Sequence, residues 1–236
     1  MKKYCIIVAG GIGQRMLSEI PKQFRLLAGK PVLLHSLEAF AAAVPDLEII
    51  IVLPKAHIVT WEEIIIQHQI KIQHTVAIGG DTRFQSVKNG ILCITLPGLV
   101  AVHDGVRPLI TKAGIVRLFA EAEKFGSAIP ATPINDTVRQ TEGNLSRVID
   151  RSHLRFVQTP EIFHSNMLTK AFETLELASY TDVTSVVENS GFPEVHLCEG
   201  EIENIKITWP VDFLLAEAIL KQREEDESRP KHPTSD

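Results

Sequence analysis

Cysteine is scarce and unpatterned in this chain. Cys5, Cys93 and Cys198 are the three in 236 residues, an odd number without the close pairing of a zinc or redox motif. Each lies in an apolar context, so they read as buried free thiols in a reducing cytosol rather than as a disulfide framework. Long hydrophobic runs are missing too. The longest, such as Ile49-Ile50-Ile51-Val52-Leu53, are far short of the roughly 20 residues that span a bilayer. No basic-then-apolar leader with a small-residue cleavage site opens the chain, which predicts a cytoplasmic protein without a membrane partner. Positive charge is not in excess: 24 Lys and Arg stand against 29 Asp and Glu, a formal net charge of −5, which argues against nucleic acid.

Two familiar phosphate loops are also lacking. No run has the four-residue gap and Gly-Lys-Ser/Thr ending of a Walker loop. The segment Gly11-Ile12-Gly13-Gln14-Arg15-Met16 carries Met16 where a dinucleotide fingerprint needs its third glycine for close helix–strand packing. The second strand ends in Pro54-Lys55 rather than an acidic residue, which disfavours a dehydrogenase.

What is present begins at the first strand. Tyr4-Cys5-Ile6-Ile7-Val8 breaks into Ala9-Gly10-Gly11-Ile12-Gly13-Gln14-Arg15-Met16, and a second cation, Lys22, follows in Pro21-Lys22-Gln23. A strand ending in glycines presents backbone N–H groups to anions. A plain structural turn needs neither Arg15 nor Lys22, so the pair points to chemistry on a polyphosphate.

The hydrophobic fraction of 44% supports a sizeable core. Strands are predicted at about 3–8, 48–53, 72–77 and 99–103, separated by helices at about 32–43, 58–68 and 83–93. Helical crossovers between apolar strands imply an α/β fold with a mostly parallel sheet covered on both faces. Ligands then bind outside the carboxyl ends of the strands. Three loops leave those ends with polar residues: 10–22, 79–86 and 103–108. In the second, Asp81 or Thr82 suits a helix cap, Gly80 lets backbone approach a base, and Ser86 could reach a ribose hydroxyl. In the third, Asp104 could hold Mg²⁺ or form an ion pair with Arg107, and His103 reads as a packed strand residue.

After Ile129 the pattern turns polar. Ala131 to Arg139 and Leu145 to Asp150 flank a Gly143-Asn144 turn, predicting a hairpin arm over about 132–152 that packs on a second subunit. Helices are expected near 165–177, 182–190 and 211–222, with a strand near 194–198. Asp182 looks like a helix cap, and Asn204-Ile205-Lys206-Ile207-Thr208 alternates as a strand, with Lys206 on a polar face that wants an anion. One domain is predicted over 1–222, followed by a charged, disordered tail over 223–236.

Seven motifs in order complete the reading: Ala9-Gly10-Gly11-x-Gly13-x-Arg15-Met16, Pro21-Lys22-Gln23, Gly79-Gly80-Asp81-x-Arg83-x-x-Ser86-Val87, His103-Asp104-x-x-Arg107-Pro108, Asp136-Thr137, Gln158-Thr159-Pro160 and Asn204-Ile205-Lys206-Ile207-Thr208. Together they resemble the 2-C-methyl-D-erythritol 4-phosphate cytidylyltransferases, CTP-using enzymes of the non-mevalonate isoprenoid pathway. The resemblance implies a Rossmann-like nucleotidyltransferase fold, Mg²⁺ dependence and a homodimer formed through the arm. It assigns Arg15 and Lys22 to transition-state stabilisation, and places Ala9, Gly10, Gly11, Gly13, Gly80, Asp81 and Ser86 around the nucleotide. It sets Asp104 beside Mg²⁺ and the acceptor with Arg107 supporting it. Thr137, Arg151, Thr159, Thr181 and Lys206 would contact the sugar-alcohol phosphate, with Arg151 reaching the partner's active site. The chain departs from the family at Gly10 for alanine, Glu161 for glutamine, and Val183-Thr184 for an acidic residue and alanine. The last two departures touch the acceptor side. Two other readings stand beside this one: a ribitol-5-phosphate cytidylyltransferase, against which Ser86-Val87 speaks, and a non-catalytic nucleotide-binding regulatory module.

Overall fold

The computed structural model describes residues 1–10, 20–174, 180–192 and 194–228. The first half alternates as expected. Strand β1 (Lys2–Val8) leads through a short hairpin, β2 (Leu26–Leu27) and β3 (Lys30–Pro31), into α1 (Val32–Ala43). Then follow β4 (Glu48–Leu53), α2 (Ile58–Gln67), β5 (Thr75–Ile78), α3 (Arg83–Ile91), β6 (Gly98–Asp104) and α4 (Lys112–Phe125). The second half holds β7 (Ser127–Pro133), the arm strands β8 (Val138–Glu142) and β9 (Leu145–Ile149), then β10 (Arg155–Val157) and β11 (Glu161–His164). It closes with α5 (Ser165–Thr174), α6 (Val183–Asn189), β12 (Leu197–Glu199) and α7 (Pro210–Ser228).

The central sheet has eight strands, ordered β10-β7-β11-β6-β1-β4-β5 with β12 paired to β7. β6, β1, β4 and β5 run parallel, while β11 is antiparallel to both its neighbours. Residue alternation sorts the core into two layers. Cys5, Ile7, Ile49, Ile51, Leu53, Leu99 and Ala101 face α1, α2 and α4, where Leu37, Phe40, Trp61 and Phe119 are buried. Tyr4, Ile6, Ile50, Val52, Val100 and Val102 face α3, α5 and α6, meeting Phe84, Val87, Leu168, Phe172 and Val187. Unbroken apolar runs over 4–8 in β1 and 49–53 in β4 thus reflect a sheet covered on both sides. A third cluster seats α7, through Phe213 and Ala216, on Leu27, Val32, Val106, Leu109 and Ile207.

The chain leaves β1 for β4 on one side and returns to β6 on the other, so the strand order reverses beside β1. A cleft is expected at such a switch point, outside the carboxyl ends. Three backbone bonds extend the ladder into the loops there: Ala9 N to Val52 O (2.9 Å), Gly79 N to Leu53 O (2.8 Å) and Gly105 N to Val8 O (2.9 Å).

Several expectations need correction. Ala131 to Pro133 belong to β7 of the central sheet, and the separate hairpin begins at Val138. The third strand starts at Thr75 rather than near Ile72. Residues 204–208 form no strand; Asn204 and Ile207 are buried while Lys206 is exposed, a spacing of three that follows contacts on two sides rather than a pleat. The charged segment after Gln222 stays helical to Ser228, because Arg223 bonds Glu203 (2.7 Å) and the Leu109 carbonyl (3.0 Å). Among the cysteines only Cys5 is fully buried; Cys93 and Cys198 are partly exposed, and all three are free.

Candidate active site

The first site element is the turn that follows β1. Lys22 opens a short 3-10 segment, Lys22–Phe24, and its Nζ donates to the Ile207 carbonyl at 3.0 Å. The adjacent Gln23 is 1% exposed and donates to the Ala9 carbonyl at 2.9 Å, fixing the turn against the end of β1. Arg15, Gly11 and Gly13 lie outside the described residues.

The second element is the start of α3. Thr82, not Asp81, caps the helix by accepting from Gln85 N at 3.1 Å. Gln85 returns to accept from Asp81 N at 2.9 Å, the reciprocal arrangement of a capping box shifted by one donor. Ser86 is 3% exposed, and its Oγ accepts from Gly80 N at 3.1 Å. It therefore closes the Gly79-Gly80 loop. A Cβ at Gly80 would stand 2.3 Å from that of Gln85, so this position requires glycine.

The third element is the end of β6, where charge concentrates. Asp104 Oδ1 is 3.1 Å from Arg83 Nη2, and its Oδ2 is 2.8 Å from Lys206 Nζ and 3.7 Å from Arg107 Nε. Burial works to raise the Asp104 pKa, but these three cations overcome it and hold the carboxyl well below the usual carboxylate range. The Asp104–Arg107 pair foreseen from sequence is therefore the loosest of three. Arg107 instead anchors the neighbouring loop, donating to the Asn204 carbonyl at 2.8 Å.

Behind Asp104 lies a buried hydrogen-bond chain. Asp104 N donates to Thr159 Oγ1 (3.0 Å), and the same hydroxyl lies 3.2 Å from His103 Nδ1, to which it donates when the other ring nitrogen carries the proton. His103 Nε2 then donates to the Arg107 carbonyl (3.1 Å), which defines one neutral tautomer. Burial lowers the imidazole to about 4, against the raising influence of Asp104. Thr159, expected to touch the acceptor, thus commits its hydroxyl to holding Asp104.

Two cavities meet at this cluster. One, about 320 Å³, is lined by Ala9, Gly10, Lys22, Gly80, Asp81, Arg83, Ser86, Asp104 and Lys206. The other, about 230 Å³, is lined by Arg107, Thr159, Glu161, Thr181 and Asp182 and shares Arg83, Asp104 and Lys206 with the first. The structure therefore joins all the described site residues expected from sequence except Thr137 and Arg151. Those two sit exposed at the base of the arm, where Arg151 bonds the Asn135 carbonyl.

A family model described as "IspD: 2-C-methyl-D-erythritol 4-phosphate cytidylyltransferase" matches residues 4–222. The chain belongs to this family. A cytidylyltransferase of that description from Bacteroides thetaiotaomicron is 45% identical over 220 residues, covering 93% of this chain and all of the relative. One from Bacteroides fragilis is 44% identical with the same coverage. Among solved structures, the Thermus thermophilus cytidylyltransferase matches with a TM-score of 0.75 at 31% identity, covering 94% of this chain and all of that one. The 4-diphosphocytidyl-2C-methyl-D-erythritol synthase of Anaerococcus prevotii gives 0.79 at 26% identity, covering 93% and 98%. As a cytidylyltransferase the chain is a nucleotidyltransferase enzyme of isoprenoid synthesis, and none of its described helices is long and apolar enough to cross a membrane.

Arg83, Gln23 and Gln158 took no role of their own from the sequence, although each falls in one of the seven motifs, and Glu161 stood out only as a departure from the family on the acceptor side. Arg83 was legible only as part of a motif, although a cation one residue after a helix cap at a strand end was the available signal. Gln158 showed only as part of the Gln158-Thr159-Pro160 motif: it is 6% exposed and works through backbone, donating to Glu201 O (2.8 Å) and accepting from Glu201 N (3.1 Å).

Proposed function

We propose that the chain transfers CMP from CTP to the phosphate of 2-C-methyl-D-erythritol 4-phosphate, giving 4-diphosphocytidyl-2-C-methyl-D-erythritol and pyrophosphate. The observation that carries this reading is the pair of cavities sharing one cationic wall of Arg83 and Lys206 around Asp104, with Lys22 lining the first. The glycine loops on one side suit a nucleotide, and the polar 158–161 and 181–182 segments on the other suit a sugar-alcohol phosphate.

A phosphate oxygen of the acceptor attacks the α-phosphorus of CTP in line, and the bond from that phosphorus to the oxygen bridging to the β-phosphate breaks. The nucleophile is already anionic near neutral pH, so no general base is required. Neutral His103 is sealed behind Asp104 and takes no part in proton transfer. Catalysis then rests on positioning and on cations facing the developing charge. Lys22 and Lys206 supply that charge among the described residues, and the family motif adds Arg15.

The donor set also bears on Mg²⁺. No three acidic, histidine or cysteine side chains cluster to hold a metal among the described residues. Mg²⁺ is commonly held by one or two carboxylates together with substrate phosphates and water. Asp104, kept ionised and with acceptor capacity beyond its present partners, fits the role of a single protein ligand. When bound, the ion would neutralise charge on the triphosphate. Dimerisation through the arm, with Thr137 and Arg151 completing the partner's acceptor cavity, belongs to the same reading.

The test is Mg²⁺-dependent pyrophosphate release from CTP, with methylerythritol phosphate and ribitol 5-phosphate offered separately. Release with the first acceptor is expected. Release with ribitol phosphate alone would move the acceptor assignment, and silence with both despite CTP binding would favour the regulatory reading.

A further inference from the structure

Glu161 is the first residue of β11, paired with Val102 of β6, and it is wholly buried. Its hydrogen-bond partners among the described residues are all donors, with the Asp182 carboxylate as a nearby like charge. Oε1 accepts from Val183 N at 3.2 Å, and Oε2 accepts from both Thr184 N and Thr184 Oγ1 at 2.7 Å. A group that only accepts is served by a carboxylate with four lone-pair sites, not by an amide with one oxygen. Arg83 stands on its open side, with Nη2 3.8 Å from Glu161 and 3.1 Å from Asp104, while Arg83 Nε donates to the Thr181 carbonyl at 3.0 Å. Arg83 therefore ties together three segments of chain: the end of β6, the start of β11, and the loop entering α6. It also forms part of both cavity walls.

We propose that Glu161 and Arg83 act as a positioning pair for the acceptor, in which the buried carboxylate aims the Arg83 guanidinium and the guanidinium holds the Thr181 loop against Asp104. The proposal rests on the cytidylyl-transfer reading and deepens its acceptor side. The fork of an arginine is required, since one guanidinium bonds a carbonyl through Nε and a carboxylate through Nη2 at once, which an ammonium cannot do in that plane. A glutamine at 161 would direct its NH₂ toward donors at Val183 N or Arg83, releasing the guanidinium from one of its fixed partners. The Thr181 loop would then lose its registration with Asp104, while the Gly79-Gly80 loop, closed independently by Ser86, would keep its shape.

Steady-state kinetics with each substrate varied separately provide the test, using full-length Glu161→Gln, Arg83→Lys, Arg83→Ala and the Glu161→Gln/Arg83→Ala double variant. Glu161→Gln and Arg83→Lys should each raise KM for the acceptor roughly tenfold, as expected for loss of one charge-assisted contact. KM for CTP should change little in Glu161→Gln. The double variant should match Arg83→Ala, because Glu161 acts through Arg83. Additive losses, or parallel rises in both KM values together with a lowered melting temperature, would overturn the proposal and leave Glu161 as a packing residue. A wild-type enzyme active on its acceptor, with acceptor KM unmoved in Arg83→Lys, would overturn it as well. A wild type silent toward both acceptors would instead remove the transfer reading, and the proposal with it.

Discussion

At the residue scale, the site separates groups that carry charge to the substrates from groups that hold them. Lys22 lines the cavity proposed for the nucleotide, and the carbonyl it bonds, that of Ile207, belongs to the segment carrying Lys206. Lys22→Ala should therefore lower kcat roughly 10²–10³-fold, the cost of removing one preorganised contact to developing charge, with a smaller change in CTP affinity. Single-turnover rates against CTP titration separate the two, and near-normal turnover would discard the assignment. His103 makes a different prediction. Its imidazole, lowered to about 4 in the folded protein, titrates near 6.5 when exposed. Between those values the unfolded chain binds a proton that the folded protein refuses, so stability rises with pH across that window. His103 alone should cost on the order of 3 kcal/mol as pH falls from 7 to 4. Glu161, raised by burial, acts in the opposite sense at the acid end, so the difference between wild type and His103→Gln isolates the effect. Urea unfolding at several pH values should show a shallower acid slope in the variant; equal slopes would mean that His103 takes up its proton without unfolding.

At the element scale, α3 carries Arg83 and Ser86 to the cavity and depends on close approach to the sheet. A Cβ at Gly90 would stand 2.6 Å from Ile6 Cγ2 and 3.1 Å from Val52 Cγ2. Alanine should gain about 1 kcal/mol of helix propensity but lose about 1–3 kcal/mol to overpacking, a net destabilisation. Gly90→Ala should lower the melting temperature by a few degrees, read by thermal denaturation, and raise KM for CTP as α3 is displaced. This element also shows what sequence conveys. β4 and α1 were legible to the residue, because an unbroken Ile49–Leu53 run and a Pro31 start leave little choice of boundary. The convergence of three loops followed from strand direction alone. The cavity proposed for the acceptor was less visible, since groups around it act through backbone: Asn204 Nδ2 donates to the Thr159 carbonyl at 2.9 Å, and Arg83 Nε to that of Thr181. Main-chain partners leave no trace in side-chain spacing. The helical course of α7 past Gln222 was hidden for a related reason, because Arg223 looked like part of a solvated charge run until its bond to the Leu109 carbonyl supplied a tertiary anchor.

At the scale of the whole molecule, the arm poses the remaining question. Among the described residues β8 and β9 pair only with each other, and a lone two-stranded ribbon is marginally stable in water. Cross-strand bonds from Arg139 to Ser146 and from Arg147 to Gln140 stiffen it, yet Leu145 and Val148 stay 77% and 61% exposed. In the proposed dimer a second copy would cover these apolar side chains, and the same copy would receive Thr137 and Arg151 from the arm's base. Sedimentation should then give a species of twice the 26.2 kDa chain mass. Replacing residues 138–149 by a short turn should give a folded monomer that binds CTP but has lost acceptor turnover. Arg151→Ala and Lys22→Ala proteins should each be nearly inactive alone. If Arg151 serves the opposite active site, mixing and re-equilibrating the two should restore activity, because a mixed dimer contains one site with Lys22 from one chain and Arg151 from the other. A mixture as inactive as its parents, in a protein shown to exchange subunits, would make Arg151 serve the active site of its own chain.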